Sequence, residues 1–448
     1  MSVVKNFFKD QNLNKNLFKF FLAIFIVLIP FHTRWIIFDL SFGADIWEYG
    51  RVSLYLNVLV LFLATLFFAL SRRRQEFYFS KKWFLYFIFT YSIIVSFFSL
   101  YPLLSFHYLL FIYLAVLFAY LLKFSSKWFV FKAFLLSGFI QSLLAIGQTF
   151  SQKVGANKWL GLAEHLPATL GTSVVEIGEL RLLRAYGSLP HPNILGGFLF
   201  VVIFVGLYLW INFYRQELAE DKKEKISKKK ILELVFIISS LAVSSFALLA
   251  SFSRSALLAL LLSLFSVLLI NIFRRSWLTA SMIAKYLILF ILVFISFNIW
   301  WPGTWASRFD FSSRLEQKSV EERISTLDQL NWNNYRNGFI GQGLGMNTLA
   351  TYYQYPEKKI YDVQPIHDIF ILMLAEVGAI GAFLLFNVVR MIIKSANQVD
   401  VMSTSLILGL LIIGLFDHYL WTSWTGWLLM AFALVNLYRP KESLNPSG

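Results

Sequence analysis

Cysteine is absent from the 448 residues. That rules out thiol nucleophiles, disulfides and Cys-ligated metals, and leaves the redox compartment unmarked. Charge is scarce: 15% of the residues are Asp, Glu, Lys or Arg, against about 25% in a soluble domain. Acids are scarcer still, 25 against 40 bases. The chain has no Walker sequence, no Gly-x-Gly-x-x-Gly fingerprint, no His-Glu-x-x-His and no Gly-x-Ser-x-Gly. Nothing therefore points to a nucleotide, a zinc protease or a serine hydrolase, and no cofactor or metal is expected.

What is abundant is apolar. Hydrophobic residues make up 58% of the chain, with 48 Phe and 14 Trp. Runs of about 17–22 apolar residues recur, each sufficient to cross a hydrocarbon core of about 30 Å. A large soluble core does not explain such runs punctuated by Lys and Arg clusters. The pattern predicts an all-α polytopic membrane protein with about twelve transmembrane helices, at 17–34, 52–70, 83–99, 106–123, 130–150, 193–213, 231–251, 255–273, 284–301, 367–389, 402–417 and 424–438. The leader before Leu17 shows no small-residue cleavage site, so the first span is expected to be retained.

With the N-terminus inside, the Lys and Arg divide about two to one in favour of the inner side, through "SRRRQEFYFSKK", "RQELAEDKKEKISKKK", "FRRS" and "YRPKES". Both termini are then cytoplasmic. The basic surplus reads as a topology signal with contact to membrane lipids, not as a nucleic-acid surface. The chain divides into helices 1–5 (1–150), a long external loop (151–192), helices 6–9 (193–301), a second long external loop (302–366), and helices 10–12 with the tail (367–448). Both loops are expected to contain short helices. The amphipathic look of "SSRLEQKSVEERISTLDQLNWNNYRNGF" places such helices on the outer membrane face. All six histidines, His32, His107, His165, His191, His367 and His418, fall at or beyond the outer end of a span.

Polar residues converge at four span mouths. In "RAYGSLPHPNILGGFLF", Pro190 and Pro192 hold the chain out of helix until Asn193, a good cap. Arg181 and Arg184 lie just upstream and His191 lies between the prolines, so this doorstep suits an anion. In "ASFSRSALLAL", Arg254 has no acidic neighbour within ten residues. A guanidinium near hydrocarbon is costly unless paired or hydrated, and its planar fork matches phosphate oxygens. In "PIHDIFILMLAEVG", His367 and Asp368 sit at the mouth and Glu376 nine residues deeper. Nine residues turn Glu376 away from His367, so it is expected to pair with another span. The upstream "GFIGQGLGMN" reads as a turn or, less specifically, as a phosphate cradle. In "LFDHYLWTSWTGW", Asp417 and His418 are candidates to orient a sugar, and Trp421, Trp424 and Trp427 read as interfacial belt residues.

These stretches carry a resemblance. "RAYGSLPHPNILGGFL", "SFSRSALLAL", "RISTLDQLNWNNYRNGFIGQGLGMN" and "PIHDIFILMLAEVGAIGAFLL", spanning 184 to 389, resemble in kind and order the O-antigen ligase and polymerase superfamily of bacterial envelope glycosyltransferases. The resemblance implies a GT-C-type membrane fold. It also implies a polyprenyl-diphosphate-linked glycan as donor (undecaprenyl diphosphate in the bacterial cell envelope), used on the outer face of the cytoplasmic membrane without nucleotide sugar or metal. The acceptor is a hydroxyl of a glycan, lipid or protein. The family's two arginines and histidine map by motif onto Arg184, Arg254 and His367, with Arg181 an alternative for the first. Asp368 stands where the family usually has asparagine. Arg181, His191, Asn193, Asp368, Glu376, Asp417 and His418 are the candidate substrate-binding residues. Ligase and polymerase share these residues and stay open, with the late His–Glu–Gly span closer to the ligases. A transporter of the same lipid would need midplane polar groups and often repeats; the strongest polar groups here cluster at the outer side, with Glu376 the main buried exception, and no repeat is evident.

Overall fold

The computed structural model describes residues 10–42, 47–71, 82–219, 227–310, 314–326, 338–359, 363–395 and 400–438. Residues 72–81 and 220–226 of the two basic segments, 327–337 of the second long loop and the tail from 439 lie outside them.

In chain order the elements are α1 (Gln11–Leu28), β1 (Arg34–Asp39), β2 (Arg51–Tyr55), α2 (Leu56–Ser71), α3 (Lys82–Phe97), α4 (Pro102–Leu122), α5 (Lys127–Ser151), β3 (Val174–Ile177), β4 (Leu180–Leu183), α6 (Pro192–Ala219), α7 (Lys228–Ser251), α8 (Arg254–Phe273), α9 (Trp277–Trp300), α10 (Thr304–Ser307), α11 (Arg314–Ser325), α12 (Asn347–Gln354), α13 (Ile369–Ser395), α14 (Val401–Phe416), α15 (Tyr419–Thr422) and α16 (Trp424–Tyr438). Each expected span overlaps a helix. Among the described residues seven helices (α4 to α9 and α13) are long and apolar enough to cross a membrane, and four shorter apolar helices accompany them.

The chain is not all-α. Two antiparallel hairpins, β1–β2 and β3–β4, stand between helices. The first replaces the expected span end at 34. Pro30 has no N–H to continue the helical ladder, so α1 ends just before it, and the β-branched and aromatic "TRWIIF" pairs with β2 instead. Arg51 bridges Asp39 at 3.2 Å and Glu48 at 3.1 Å across this hairpin. The second hairpin occupies the first long loop, where short helices were expected. Its two-residue turn opens on Gly178 at φ 58°, the position that demands glycine in a tight hairpin. The second long loop does contain short helices, α10, α11 and α12.

Helix α6 is the axis of the bundle: 94% of its apolar window is buried, against 33–50% in the other six long helices. Two glycines make room for its neighbours. A Cβ on Gly196 would lie 2.6 Å from the Ser253 Cβ, and one on Gly197 would lie 1.7 Å from the Tyr419 hydroxyl oxygen. The peripheral helices leave apolar side chains uncovered, as on α9 at Ile291, Leu292 and Ile299, which is expected of a lipid-facing surface.

Helix α13 is broken at Gly378, which has φ 65°. The break frees carbonyls from the helical ladder, and the glycine-rich loop before α12 supplies their donors. Gln342 N bonds Ala375 O at 3.0 Å and Gly343 N bonds Glu376 O at 2.9 Å. Gly341 and Gly378 sit backbone to backbone, closer than any Cβ would allow. The glycines of "GFIGQGLGMN" thus repair a helix break by close approach.

Candidate functional site

The N-terminal ends of α6 and α8 and the C-terminal end of α14 meet around a buried hydrogen-bonded string. Arg184 leaves β4 and turns inward to a nearly buried position. Its Nε donates to Ser251 O at 2.9 Å and its Nη2 to Asn193 Oδ1. Asn193 Nδ2 donates to Asp417 Oδ1 at 2.7 Å, and Ser255 Oγ donates to Asp417 Oδ2. A cation just after β4 is thereby tied to an anion at the end of α14. Burying either charge alone costs several kcal/mol, roughly offset by these bonds and their mutual attraction.

Asn193 is therefore not the cap of α6, as the proline pattern suggested. His191 takes that role, its Nδ1 accepting from Asn193 N at 3.1 Å. That bond leaves the ring proton on Nε2, which lies 3.2 Å from Ser173 Oγ. Burial, with the positive charge of Arg184 beside it, pushes the His191 pKa down to about 3, so the ring is neutral at pH 7.

His367 stands just before α13. Its ring centroid lies 5.4 Å from that of His418, edge to face. His418 is fixed by Thr422 Oγ1, 2.8 Å from its Nδ1. Burial and the neighbouring Arg323 lower the His367 pKa to about 4, and burial holds His418 well below its usual value. Nδ1 of His367 is buried with no hydrogen-bond partner among the described residues. His191, His367 and His418 thus form one electrostatically coupled group, with His165 at its edge. His32 and His107 lie apart from that group, bonded to Thr425 Oγ1 at 2.9 Å and to the backbone of Ser53.

Arg254 opens α8, whose cap Ser253 accepts from Ala256 N. Its Nη1 donates to Arg308 O at 3.0 Å, and Arg308 Nη2 donates to Phe252 O at 3.3 Å. Arg184 holds the carbonyl of Ser251 in the same turn. The two arginines paired by motif therefore meet one α7–α8 turn, Arg184 through the carbonyl of Ser251 and Arg254 as a residue of the turn's far side. Arg181, the alternative, faces Glu176 across the β3–β4 hairpin at 3.4 Å, where Arg314 of α11 also reaches at 3.1 Å. That contact ties the β3–β4 hairpin to α11.

Asp368 caps α13, its Oδ1 accepting from Phe370 N at 2.8 Å and Ile371 N at 3.1 Å. Glu376 is buried below. Its Oε2 accepts from Trp421 Nε1 at 2.8 Å and its Oε1 from Asn347 N at 3.4 Å. Asn347 Oδ1 in turn accepts from Ile366 N at 3.1 Å, the residue before His367. Trp421 and Trp424 are buried, and Trp424 Nε1 bonds Asn57 Oδ1 at 3.0 Å. These two are internal hydrogen-bond donors, not the belt residues that their spacing suggested.

Sequence reasoning missed Arg323 of α11. Half-buried, it places its charge on His191, His367 and Asp417 together. It opens the family-like stretch "RISTLDQLNWNNYRNGFIGQGLGMN", but only the folding of α11 over the bundle end gives its charge a partner. Asn347 ends the same stretch without being singled out, and Arg308 and Ser173 carry no sequence signal. Chemically the arrangement offers several guanidinium groups beside neutral imidazoles at one end of the bundle, which suits an anion next to a proton acceptor.

Residues 239–386 match the family described as O-antigen ligase. The match contains Arg254, Arg308, Arg323, His367 and Glu376, and begins after Arg184. No curated protein matches the chain.

Proposed function

On the premise that the O-antigen ligase domain at residues 239–386 places this chain with the O-antigen ligase and polymerase superfamily, we propose that it is a metal-independent glycosyltransferase. It moves a glycan from a polyprenyl diphosphate to an acceptor hydroxyl on the outer face of the cytoplasmic membrane. The observation that carries this reading is the meeting of Arg184, Asn193, Asp417 and Ser255 with the His191–His367–His418 group at one bundle end. In the full reading, twelve helices cross the membrane, both termini are cytoplasmic, and the cluster faces outward.

The acceptor oxygen attacks the anomeric carbon, the bond from that carbon to the diphosphate oxygen breaks, and the acceptor proton goes to a base. Negative charge grows on the leaving diphosphate. Arg184 and Arg254, with Arg323 beside the histidines, stabilise that charge. Prearranged cations in a dry site each supply about 3–4 kcal/mol. His367, neutral at pH 7 with its Nδ1 uncommitted to the described protein, accepts the proton. The bond energy resides in the glycosyl diphosphate, so the chemistry asks for no nucleotide. A ligase-like acceptor, a lipid, protein or wall glycan, is the first reading, and polymerisation of lipid-linked repeat units is the alternative.

The test uses the purified full-length protein with a polyprenyl-diphosphate oligosaccharide and a panel of acceptors. Transfer yields free polyprenyl diphosphate and glycan-linked acceptor in equal amounts. Product made only when a second donor molecule is present identifies a polymerase. Movement of intact donor between leaflets without bond cleavage identifies a transporter and overturns the reading.

A further inference from the structure

A second polar enclosure lies at the far end of the same bundle, and the proposed reaction does not use it. A cavity of about 180 Å³ is lined by Asn212 and Arg215 of α6, Asn271 and Arg274 at the end of α8, Thr279 of α9 and Asp400 before α14. Three of these helices carry the outer string as well. On α6, Asn193 lies at one end and Arg215 at the other. On α8 the pair is Ser255 and Arg274, and on α14 it is Asp417 and Asp400. About 20 residues at 1.5 Å each set the two polar levels roughly 30 Å apart, the thickness of a bilayer's hydrocarbon core. The cavity therefore sits at the level of the opposite leaflet's headgroups. The exposed Trp277 at the start of α9 is the side chain expected at such an interface.

The lining is cationic. Arg215 is oriented by Thr279 Oγ1 at 2.8 Å and Asn212 Oδ1 at 3.4 Å, two neutral acceptors that fix the guanidinium without neutralising it. Asp400 is committed elsewhere: its Oδ2 accepts from Ser403 N at 3.4 Å and Ser403 Oγ at 3.2 Å, capping α14. Two fixed or nearby guanidinium groups thus line a cavity whose carboxylate already has its own donors. At this size the cavity is below the roughly 300–1,000 Å³ of sites for drug-sized ligands. It excludes an oligosaccharide and admits a phosphate with part of its ester.

We propose that this cavity binds the phosphate of an anionic phospholipid headgroup. Arg215 and Arg274 grip the phosphate oxygens, for which their planar forks are suited. Asn212, Asn271 and Thr279 face the polar remainder of the headgroup. Basic pockets between helices at a membrane surface recognise lipid headgroups on these terms. A lipid held there pins the ends of α6, α8, α9 and α14 together, and the proposal is independent of the reaction at the other end.

The experiment is native mass spectrometry of the full-length protein in detergent, titrated with phosphatidylglycerol, with sodium phosphate as competitor. The wild type is expected to retain one phosphatidylglycerol tightly. Arg274→Ala removes a guanidinium that makes no hydrogen bond to the described residues. It should weaken retention at least tenfold while leaving the lipid-free thermal midpoint unchanged. Arg215→Gln, which keeps a donor for Thr279, should do the same. Failure of tens of millimolar phosphate to displace the lipid supports a lipid site, and full displacement supports a phosphate site open to the free ion. Retention equal to the wild type in both variants overturns the proposal.

Discussion

Asn193 donates to Asp417 at 2.7 Å across 224 positions of sequence, and through that one side chain the Arg184 cation beyond β4 is tied to the end of α14. The amide serves both charges at once, its oxygen facing the guanidinium and its nitrogen facing the carboxylate. Asn193→Ala removes both bonds and leaves two buried charges underbonded. A loss of about 1–3 kcal/mol per unsatisfied group is expected. The detergent-solubilised variant should lose several degrees of thermal midpoint, and its transfer rate should fall by at least tenfold. Asn193→Asp should be worse, because it sets a second carboxylate against Asp417. A wild-type midpoint in both variants would contradict the role.

The Trp421–Glu376–Asn347 string places His367 from below, through the amide of Ile366. Asn347→Ala should therefore reduce kcat about tenfold, the equivalent of one hydrogen bond of about 1.4 kcal/mol, and leave the donor KM nearly unchanged. Trp421→Phe, which frees one Glu376 oxygen, should act in the same sense. A raised KM with unchanged kcat would assign these residues to donor binding instead.

Gly197 is expected to be intolerant for a reason unrelated to chemistry. Its absent Cβ is filled by the Tyr419 hydroxyl, which is itself buried with no partner among the described residues. Gly197→Ala should destabilise by about 1–3 kcal/mol through overpacking. Tyr419→Phe alone should be neutral or slightly stabilising, and the double variant should recover part of the loss. An additive double variant would show that the two positions do not meet.

Acid should loosen the outer cluster. His191 and His367 have folded pKa values of about 3 and 4, below the unfolded value of about 6.5. The unfolded chain therefore binds more protons in that window, and stability is fully present above pH 6.5 and lost as pH falls toward 4. The thermal midpoint should be flat from pH 8 to 7 and decline below about 6.5. The decline should be shallower in His191→Asn, which keeps a capping acceptor for α6. A midpoint that rises on acidification would contradict the burial of neutral imidazoles.

Much of this arrangement can be read from the chain because lipid imposes long apolar runs, and each expected span overlaps a helix. Charges at span mouths are conspicuous for the same reason, which is how Arg184, Arg254, His367 and Asp417 stand out. The errors come where local chemistry has two solutions. Asn193 and His191 are both able to cap α6, and only the proximity of Arg184 and Asp417 diverts Asn193. The β3–β4 hairpin hides in ten residues whose single strong signal is Gly178. Arg323 opens one of the family-like stretches and lies in a segment expected to be helical, yet neither signal says that α11 brings its charge to His191, His367 and Asp417.

On the proposed function, the guanidinium groups at the Arg184–Asp417 end of the bundle hold a diphosphate. The most direct measurement compares the affinity of the purified protein for polyprenyl diphosphate and for the matching polyprenyl alcohol, in the wild type and in Arg254→Ala of unchanged thermal midpoint. The account predicts that the wild type prefers the diphosphate by at least a hundredfold, and that Arg254→Ala loses at least tenfold of that preference while binding the alcohol as before. Equal diphosphate affinity in wild type and variant would contradict it.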